Sequence, residues 1–572
     1  MPYASPVQDA EFCLNHLLAQ RDDVDQETSS AILLEAAKIA DNLLAPYNAS
    51  GDHAHSSLDN QGNVTTPAGF KEGYQAMIEG GWVGLTASEA YQGMGLPQRV
   101  GAAVSEFWQG SNMSFALCPL LTQGLIQALT LAGSEAQKQT YLTKLSTGEW
   151  SGTMNLTEPQ AGTDLAAIRT VATPCDDGSG LYRLKGQKIY ITYGEHDMAE
   201  NIVHLVLART PDAPPGLKGI SVFVVPKFLV NADGSLGERN DVRCVSIEKK
   251  MGIKASPTAV LSYGESEGAL GELVGDLGRG LEYMFIMMNE ARFHVGLQGL
   301  AISEAARQHA LAYAHDRLQG TPIAREPGTP IIGHGDVKRL LMIMRASTES
   351  MRALGLYTAD QMDLAHAGQG DQARVELMIP IVKGWFTEMS QEITRHGVQV
   401  FGGMGFIEET GAAQFMRDAR ILTIYEGTTA IQANDLIFRK TLRDNGSAVK
   451  RLIADIRADA RVSALDCKKL ASACSEVEGA LSALLRTEDK AAVSALGTDW
   501  IMALGYLCGG WMCAVSKSVA QQKVDQLGTE FVARKQTACA VYFDHLLPRI
   551  KAHTTTIGLG GNSVLSVEDA LV

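Results

Sequence analysis

Between Arg420 and Asp435 the only charged side chain is Glu426, set in the stretch ILTIYEGTTAI. A carboxylate after an apolar and aromatic run is either a badly placed surface residue or a working acid or base. Desolvation raises the pKa of such a carboxyl and suits it to proton transfer. Gly427 follows at once and lets backbone come close to a ligand. A second group is NLTEPQAGTD, residues 155–164. Thr157, Thr163 and the backbone around Gly162 gather hydrogen-bond donors there, which suits a polar heterocycle or a pyrophosphate; a capped turn explains the same residues. KIYITYG, residues 188–194, alternates as a strand and places Tyr190 and Thr192 on one face. A ring beside a hydroxyl can stack on and bond a flavin, and a half-buried strand face accounts for it equally well. In NEARFHVG, Arg292 sits mid-helix after Leu281, Met284, Phe285 and Met288, an apolar stripe at helical spacing read as core. That context points to a buried anion or an internal pair.

Other signals are weaker or absent. There is no HExxH and no Walker A sequence. FGGMGF, residues 401–406, is not GxGxxG and reads as a helix-breaking turn. Adjacent Glu195, His196 and Asp197 cannot easily converge on one ion, so no metal site is expected and a solvated loop is.

The elements that must hold these residues follow an α, β, α, α order. Residues 1–152 read as helical, with a cap and apolar periodicity in ETSSAILLEAAKIADNLL and a turn-rich stretch, NASGDHAHSSLDNQGNVTTPAG. Residues 153–270 carry short Val-, Ile-, Tyr- and Phe-rich runs parted by DDGSG, PDAPPG and NADGSLGERND, spaced as in a β-barrel or sandwich. Residues 271–445 return to long helices with a break at GTPIAREPGTPIIGHG, and RDNGSA marks the boundary to an Ala- and Leu-rich helical block, 446–572.

Composition bounds the function. A 572-residue chain, 45% hydrophobic and 20% charged, is ordinary globular material of more than one domain. A net charge of -15 argues against general affinity for nucleic acid or anionic membrane. Nine scattered cysteines without a CxxC pair suggest reduced thiols and a cytoplasmic protein. The opening MPYASPVQDAEF lacks the charge and apolar run of a secretory signal. WIMALGYLCGGWMCAVS, residues 500–516, is short of a membrane span of about 20 residues and holds three glycines, so a buried helix is expected and integral membrane association is not.

Taken in order, these stretches resemble the acyl-CoA dehydrogenase superfamily. NLTEPQAGTDLAAI is similar to its first signature, LKGQKIYIT to its flavin-facing strand, and EKKMGIKASPT to the loop closing its β-domain. GRGLEYMFIMMNEARFHVGLQGLA resembles the helix that meets coenzyme A, and QVFGGMGFIEETGAAQFMRDARILTIYEGTTAIQ, residues 399–432, its most diagnostic block. The resemblance runs from about residue 35 to 445; the opening and the block after 446 resemble a longer bacterial branch that includes enzymes like 3-(methylthio)propanoyl-CoA dehydrogenase.

The resemblance implies a fold that is α+β but mostly α: an N-terminal helical domain, a central β-barrel and a C-terminal four-helix bundle, here with an additional C-terminal helical domain. It implies FAD as cofactor. Leu156, Thr157, Gly162 and Thr163 then line the flavin or pyrophosphate, and Tyr190 and Thr192 face the isoalloxazine. Arg317 meets the pyrophosphate of a partner subunit's FAD, while Gln399, Gly402, Gly403 and Thr428 approach its adenosine side. Asn289, Arg292 and Gly427 are implied at the acyl-CoA. The family removes an α-proton and a β-hydride from an acyl-CoA, giving a trans-2-enoyl-CoA. Some branches put the base just before the helix arginine; that position is Ala291 here, and Glu290 points about 100° away, which leaves Glu426. The chain departs from the pattern at Tyr190, where many members have Trp, in the LQG after Arg317, and at Ala430, where many have Gln. The implied partners are an electron-transfer flavoprotein and a second copy in a homodimer. An oxygen-using acyl-CoA oxidase and a flavin-containing nucleic-acid-binding relative are the alternatives, and the acidic charge and intact Glu426 weigh against the second.

Overall fold

The computed structural model describes residues 3–572, which divide into two compact units. One unit is Lys38–Leu96 with Ser111–Ala291; the other is residues 3–37, Pro97–Gly110 and Arg292–Val572.

The first unit is built on an eight-stranded sheet. Strand Tyr182–Thr192 is antiparallel to Thr258–Tyr263 along its second half and to Ala269–Leu273 along its first half. Ala269–Leu273 pairs with Ile220–Pro226, and that strand with Asn201–Arg209. The short strand Val171–Pro174 pairs with Tyr182–Thr192 and bridges to Arg209, which closes the ring into a barrel. Strands Val242–Ile247 and Trp150–Asn155 extend the sheet at its two ends.

Asn201–Arg209 shows why the ring closes. Its residues are apolar almost without interruption, as in a strand covered on both faces. Val203, Leu205 and Leu207 enter one core with Leu121, Leu125 and Leu129 of helix Met113–Ala132. Val206 and Ala208 enter the other, with Phe223, Leu184 and Tyr263. Among the described residues, Met113–Ala132 is the one helix long and apolar enough to cross a membrane, and 72% of its apolar window is buried in the protein. A helix apolar all round requires such cover.

The second unit is helical. Helices Gly335–His366 and Gln372–Phe401 pack side by side, and helix Gly497–Gln522 lies against both. Two glycines permit the close approach to Gln372–Phe401: a Cβ at Gly505 would sit 2.1 Å from Trp385 Cγ and one at Gly384 2.8 Å from Ile501 Cδ1; a Cβ at Gly497 would come 2.7 Å from Ala433 Cβ of helix Thr429–Asn434. The indole of buried Trp500 donates to Thr441 Oγ1 at 3.1 Å. The apolar stretch expected as a buried helix is therefore the central helix of the C-terminal block, and its glycines are contact residues. Helix Gln372–Phe401 stops at Gly402, whose φ of +62° few other residues adopt.

Three readings need correction. The segment 195–197 is no solvated loop: Glu195 and His196 are buried. Glu195 pairs with Lys227 and Arg239, His196 bonds Ser151 Oγ at 2.8 Å, and Asp197 accepts from Thr66 and Lys71. Each polar group found a different partner, which local sequence does not reveal. The turn-rich stretch also contains the helix Asn48–Ala54 and a two-stranded ladder, Ser57–Leu58 with Val64–Thr65. In the stripe, Met284 is fully buried as expected, but its companion in the core is Met287, with Leu281 and Met288 packed on the rim.

Candidate active site

In the β-bearing unit, the loop after strand Trp150–Asn155 is organised by one buried pair. Lys188 Nζ lies 2.9 Å from Glu158 Oε1 and 3.0 Å from the carbonyl of Leu156. Glu158 also accepts from the Arg169 and Thr170 amides at 2.7 and 3.0 Å and from the Thr170 hydroxyl at 2.6 Å. Burial opposes the charges, but the Lys188 ammonium and these donors hold the Glu158 carboxyl down to about 2, while burial brings Lys188 down to about 8 against the pull of Glu158. The Ile189 amide donates to the Thr157 carbonyl at 2.9 Å and ties loop to strand.

The strand is bulged at this point. Lys188 faces Leu261 and Ile191 faces Ala259, so the strand carries one residue more than its partner. Tyr190 absorbs the difference with φ +60° and stands 60% exposed. Ile191 and Tyr193 point into the core, and Thr192 lies half-buried on the outer side with Tyr190. Gly162 and Thr163 are exposed, and a Cβ at Gly162 would meet nothing. Among the described residues no protein acceptor takes the hydroxyls of Thr157, Thr163 or Thr192. Free hydroxyls, an open glycine and a bare aromatic face form a donor set that fits a flavin nucleotide.

In the helical unit, Glu426 follows the 3₁₀ turn Arg420–Thr423 and precedes the helix Thr429–Asn434. Glu426 has φ +55° and Gly427 φ +90°. The first is unusual for a residue with a side chain, and the second is left to glycine because a Cβ there would come 2.8 Å from Gln432 Nε2. Three side-chain hydrogen bonds hold this turn. Gln432 Nε2 donates to the Glu426 carbonyl at 3.1 Å, and Lys383 Nζ to the Leu422 and Gly427 carbonyls at 2.9 and 2.6 Å. Below, Tyr425 donates to Gln298, whose amide reaches Gln109 at 3.2 Å. Thr428 caps the following helix, its Oγ1 accepting from the Ile431 amide at 3.4 Å, and Thr429 Oγ1 donates to Glu388 at 2.6 Å.

The Glu426 carboxylate has no hydrogen bond or ion pair within the described residues. Desolvation raises its pKa, and the charges of Arg292 and Lys383 pull it partly back. Arg292 is buried with Asp435 3.9 Å away, an internal pair, one of the two placements its helical context pointed to. Helix burial lowers Arg292 itself, against Asp435 and Glu426.

The unit thus gathers Glu426, Gly427, Thr428 and Arg292. Arg317, Gln399, Gly402 and Gly403 are instead exposed, and a Cβ at either glycine would meet nothing. Phe406 beside them is 86% exposed, with Met404 and Ile407. In the first unit, Asn289 is exposed and Ala291 buried. Four supporting residues escaped the sequence reading: Glu158, Lys188, Lys383 and Gln432. Lys383 had a signal, being the only charge between Glu376 and Glu388 in an apolar helix run.

Comparison with known proteins agrees with these elements. Residues 26–149, 153–265 and 278–442 match the N-terminal, middle and C-terminal domains of acyl-CoA dehydrogenases, and 449–568 an acetyl-CoA dehydrogenase C-terminal-like domain. The 3-methylmercaptopropionyl-CoA dehydrogenase of Ruegeria pomeroyi is 45% identical over 591 residues, covering 99% of this chain and 100% of the relative. A broad-specificity linear acyl-CoA dehydrogenase of Mycobacterium tuberculosis is 34% identical, covering 99% of each. The Bacillus anthracis acyl-CoA dehydrogenase complexed with FAD superposes with a TM-score of 0.74 at 21% identity, over 99% of this chain and 93% of that one, which speaks to the fold. The chain belongs to the acyl-CoA dehydrogenase family.

Proposed function

We propose that Glu426 is the base with which this FAD-dependent acyl-CoA dehydrogenase takes the α-proton of its thioester substrate. The observation that carries the reading is a desolvated carboxylate whose oxygens no protein donor engages, beside two cations. Desolvation raises proton affinity, and the free oxygens leave room for a substrate C–H. The backbone turn at Glu426 and Gly427 offers amide groups to the thioester oxygen as enolate charge develops. Arg292 and Asn289 serve the coenzyme A side. Bound FAD supplies the acceptor for the β-hydride. Leu156, Thr157, Gly162, Thr163, Tyr190 and Thr192 would hold its flavin and pyrophosphate, and Thr428 would serve the adenosine side of a partner subunit's FAD.

The bare surface with Arg317, Gln399, Gly402, Gly403 and Phe406 supports a homodimer in which each copy offers these residues to the FAD of the other. Helix Gly497–Gln522 packs against helices Gly335–His366 and Gln372–Phe401 from within the chain, which supports a dimer over a tetramer. An electron-transfer flavoprotein is the acceptor and acyl-chain β-oxidation the setting. The described cysteines are all unpaired, as befits the cytoplasm. The series of substrates to test begins with 3-(methylthio)propanoyl-CoA, the type for which the 45% identical relative is named, and continues with linear acyl-CoAs. Glu426→Gln should keep flavin and substrate binding and lose about 10²–10⁴-fold in kcat. Near wild-type dehydrogenation by the purified variant would remove Glu426 from this role.

A further inference from the structure

Lys383 is fully buried in helix Gln372–Phe401, with Ile501 of helix Gly497–Gln522 packed over the neighbouring Gly384. A buried ammonium is costly unless it is paired and bonded. Among the described residues no carboxylate lies within ion-pair distance of it. Its acceptors are the Leu422 and Gly427 carbonyls, which bracket Glu426. Gln432, also fully buried, takes the Glu426 carbonyl. The left-handed turn at Glu426 is unfavourable for a residue with a side chain, so it persists only where its surroundings enforce it.

We propose that Lys383 is the positioning residue of the base: it ties the two carbonyls that bracket Glu426 and sets an unshared positive charge beside the carboxylate. The inference rests on Glu426 being the base. The charged and titratable groups facing this turn are few. Helix Gly280–Asp316 contributes Arg292, itself flanked by Asp435 and Arg439. Helix Gln372–Phe401 contributes Lys383 and Glu388. The turn contributes Tyr425, whose burial keeps the phenol neutral. Burial brings Lys383 down to about 8, and Glu426 and Glu388 oppose that fall. The charge in turn draws Glu426 downward against its own desolvation. Removing it therefore raises the proton affinity of Glu426 and moves the acid limb of kcat to higher pH.

The test uses the flavin-loaded full chain in two variants. Lys383→Met keeps length and removes donors and charge; Lys383→Gln keeps donors and removes charge. With kcat taken per bound flavin, we expect losses of about 100-fold for Met and about 10-fold for Gln, KM within about two-fold, and an acid limb about one pH unit higher in both. An unmoved limb, a loss shared equally by KM, or failure of both variants to fold would assign Lys383 to the scaffold and overturn the proposal. Turnover by Glu426→Gln would remove the base assignment itself. An inactive Glu426→Gln with an unmoved limb in Lys383→Gln would remove this inference alone.

Discussion

Each unit buries a lysine under a loop of the candidate site, and the two are satisfied in opposite ways. Lys188 meets a carboxylate, Glu158, and that carboxylate spends its remaining capacity on Arg169 and Thr170. Lys383 meets only carbonyls. Burial lowers both ammonium groups to about 8. A paired charge is neutralised where it stands, so the first lysine acts as a rivet for the loop 156–170. An ammonium bound by dipoles keeps its field, and the second lies beside an unengaged carboxylate. Structural and chemical uses of a buried lysine thus differ in the acceptor rather than in the depth of burial.

The largest effect should come from breaking the pair. Glu158→Gln leaves Lys188 buried without a counter-charge and, with one carboxylate oxygen replaced by an NH2 group, removes the acceptor of one of the two backbone amides. Breaking a buried pair from one side costs about 3–5 kcal/mol. Denaturant melts should show that loss, together with reduced flavin retention. Lys383→Met strands no charge in the interior and should cost about 1–3 kcal/mol for two carbonyls left without donors. Equal losses in the two variants would erase the distinction between them.

The two halves of this comparison were unequally legible. Glu426 stood out because it is a lone charge in apolar text, and Arg292 because it follows an apolar helical stripe. Those signals are local: the structure buries Arg292 and leaves Glu426 half-buried, with its carboxyl desolvated by the protein around it. The barrel was foreshadowed by strand and turn texture, since alternation and turn residues report on nearest neighbours. The bulge at Tyr190 was not, because it depends on register against Thr258–Tyr263, far along the chain. Lys383 reaches its carbonyls across a tertiary contact, and periodicity marks only that it lies on a helix. Glu195 and His196 misled for the same reason: three polar residues in a row look solvated until their separate partners are known.

A smaller effect should follow from disturbing the cover over Lys383. Gly384→Ala would place a Cβ 2.8 Å from Ile501 Cδ1 and 2.9 Å from its Cγ2. Overpacking of this kind costs about 1–3 kcal/mol. The β-bearing unit has no part in the contact, so the cost should fall on the helical unit. Hydrogen exchange should quicken in helices Gln372–Phe401 and Gly497–Gln522 and stay unchanged across strand Tyr182–Thr192. Faster exchange in that strand would mean that the two loops share one support.

The smallest effect, and the sharpest contrast in sign, lies in acid. Glu158 has its folded pKa held at about 2, below the unfolded value of about 4.3. Its contribution to stability is complete above that unfolded value and declines as pH falls toward about 2, by at most about 1.4 kcal/mol per pH unit. Glu426 has its folded pKa raised by desolvation. The folded state then binds the proton more readily than the unfolded one, so Glu426 lowers stability above its folded pKa, and acid relieves that penalty. Glu426→Gln should therefore be about 1 kcal/mol more stable than the parent at pH 7, as when an active-site strain is removed, and the difference should shrink as pH falls. Glu158→Gln should behave inversely, its deficit at pH 7 narrowing in acid because the parent loses what the variant already lacks. Urea melts of the three proteins between pH 7 and pH 3 would read both trends. Parallel curves for the two variants would show that the carboxylates experience the same environment, and the distinction between a riveted loop and a poised one would fall.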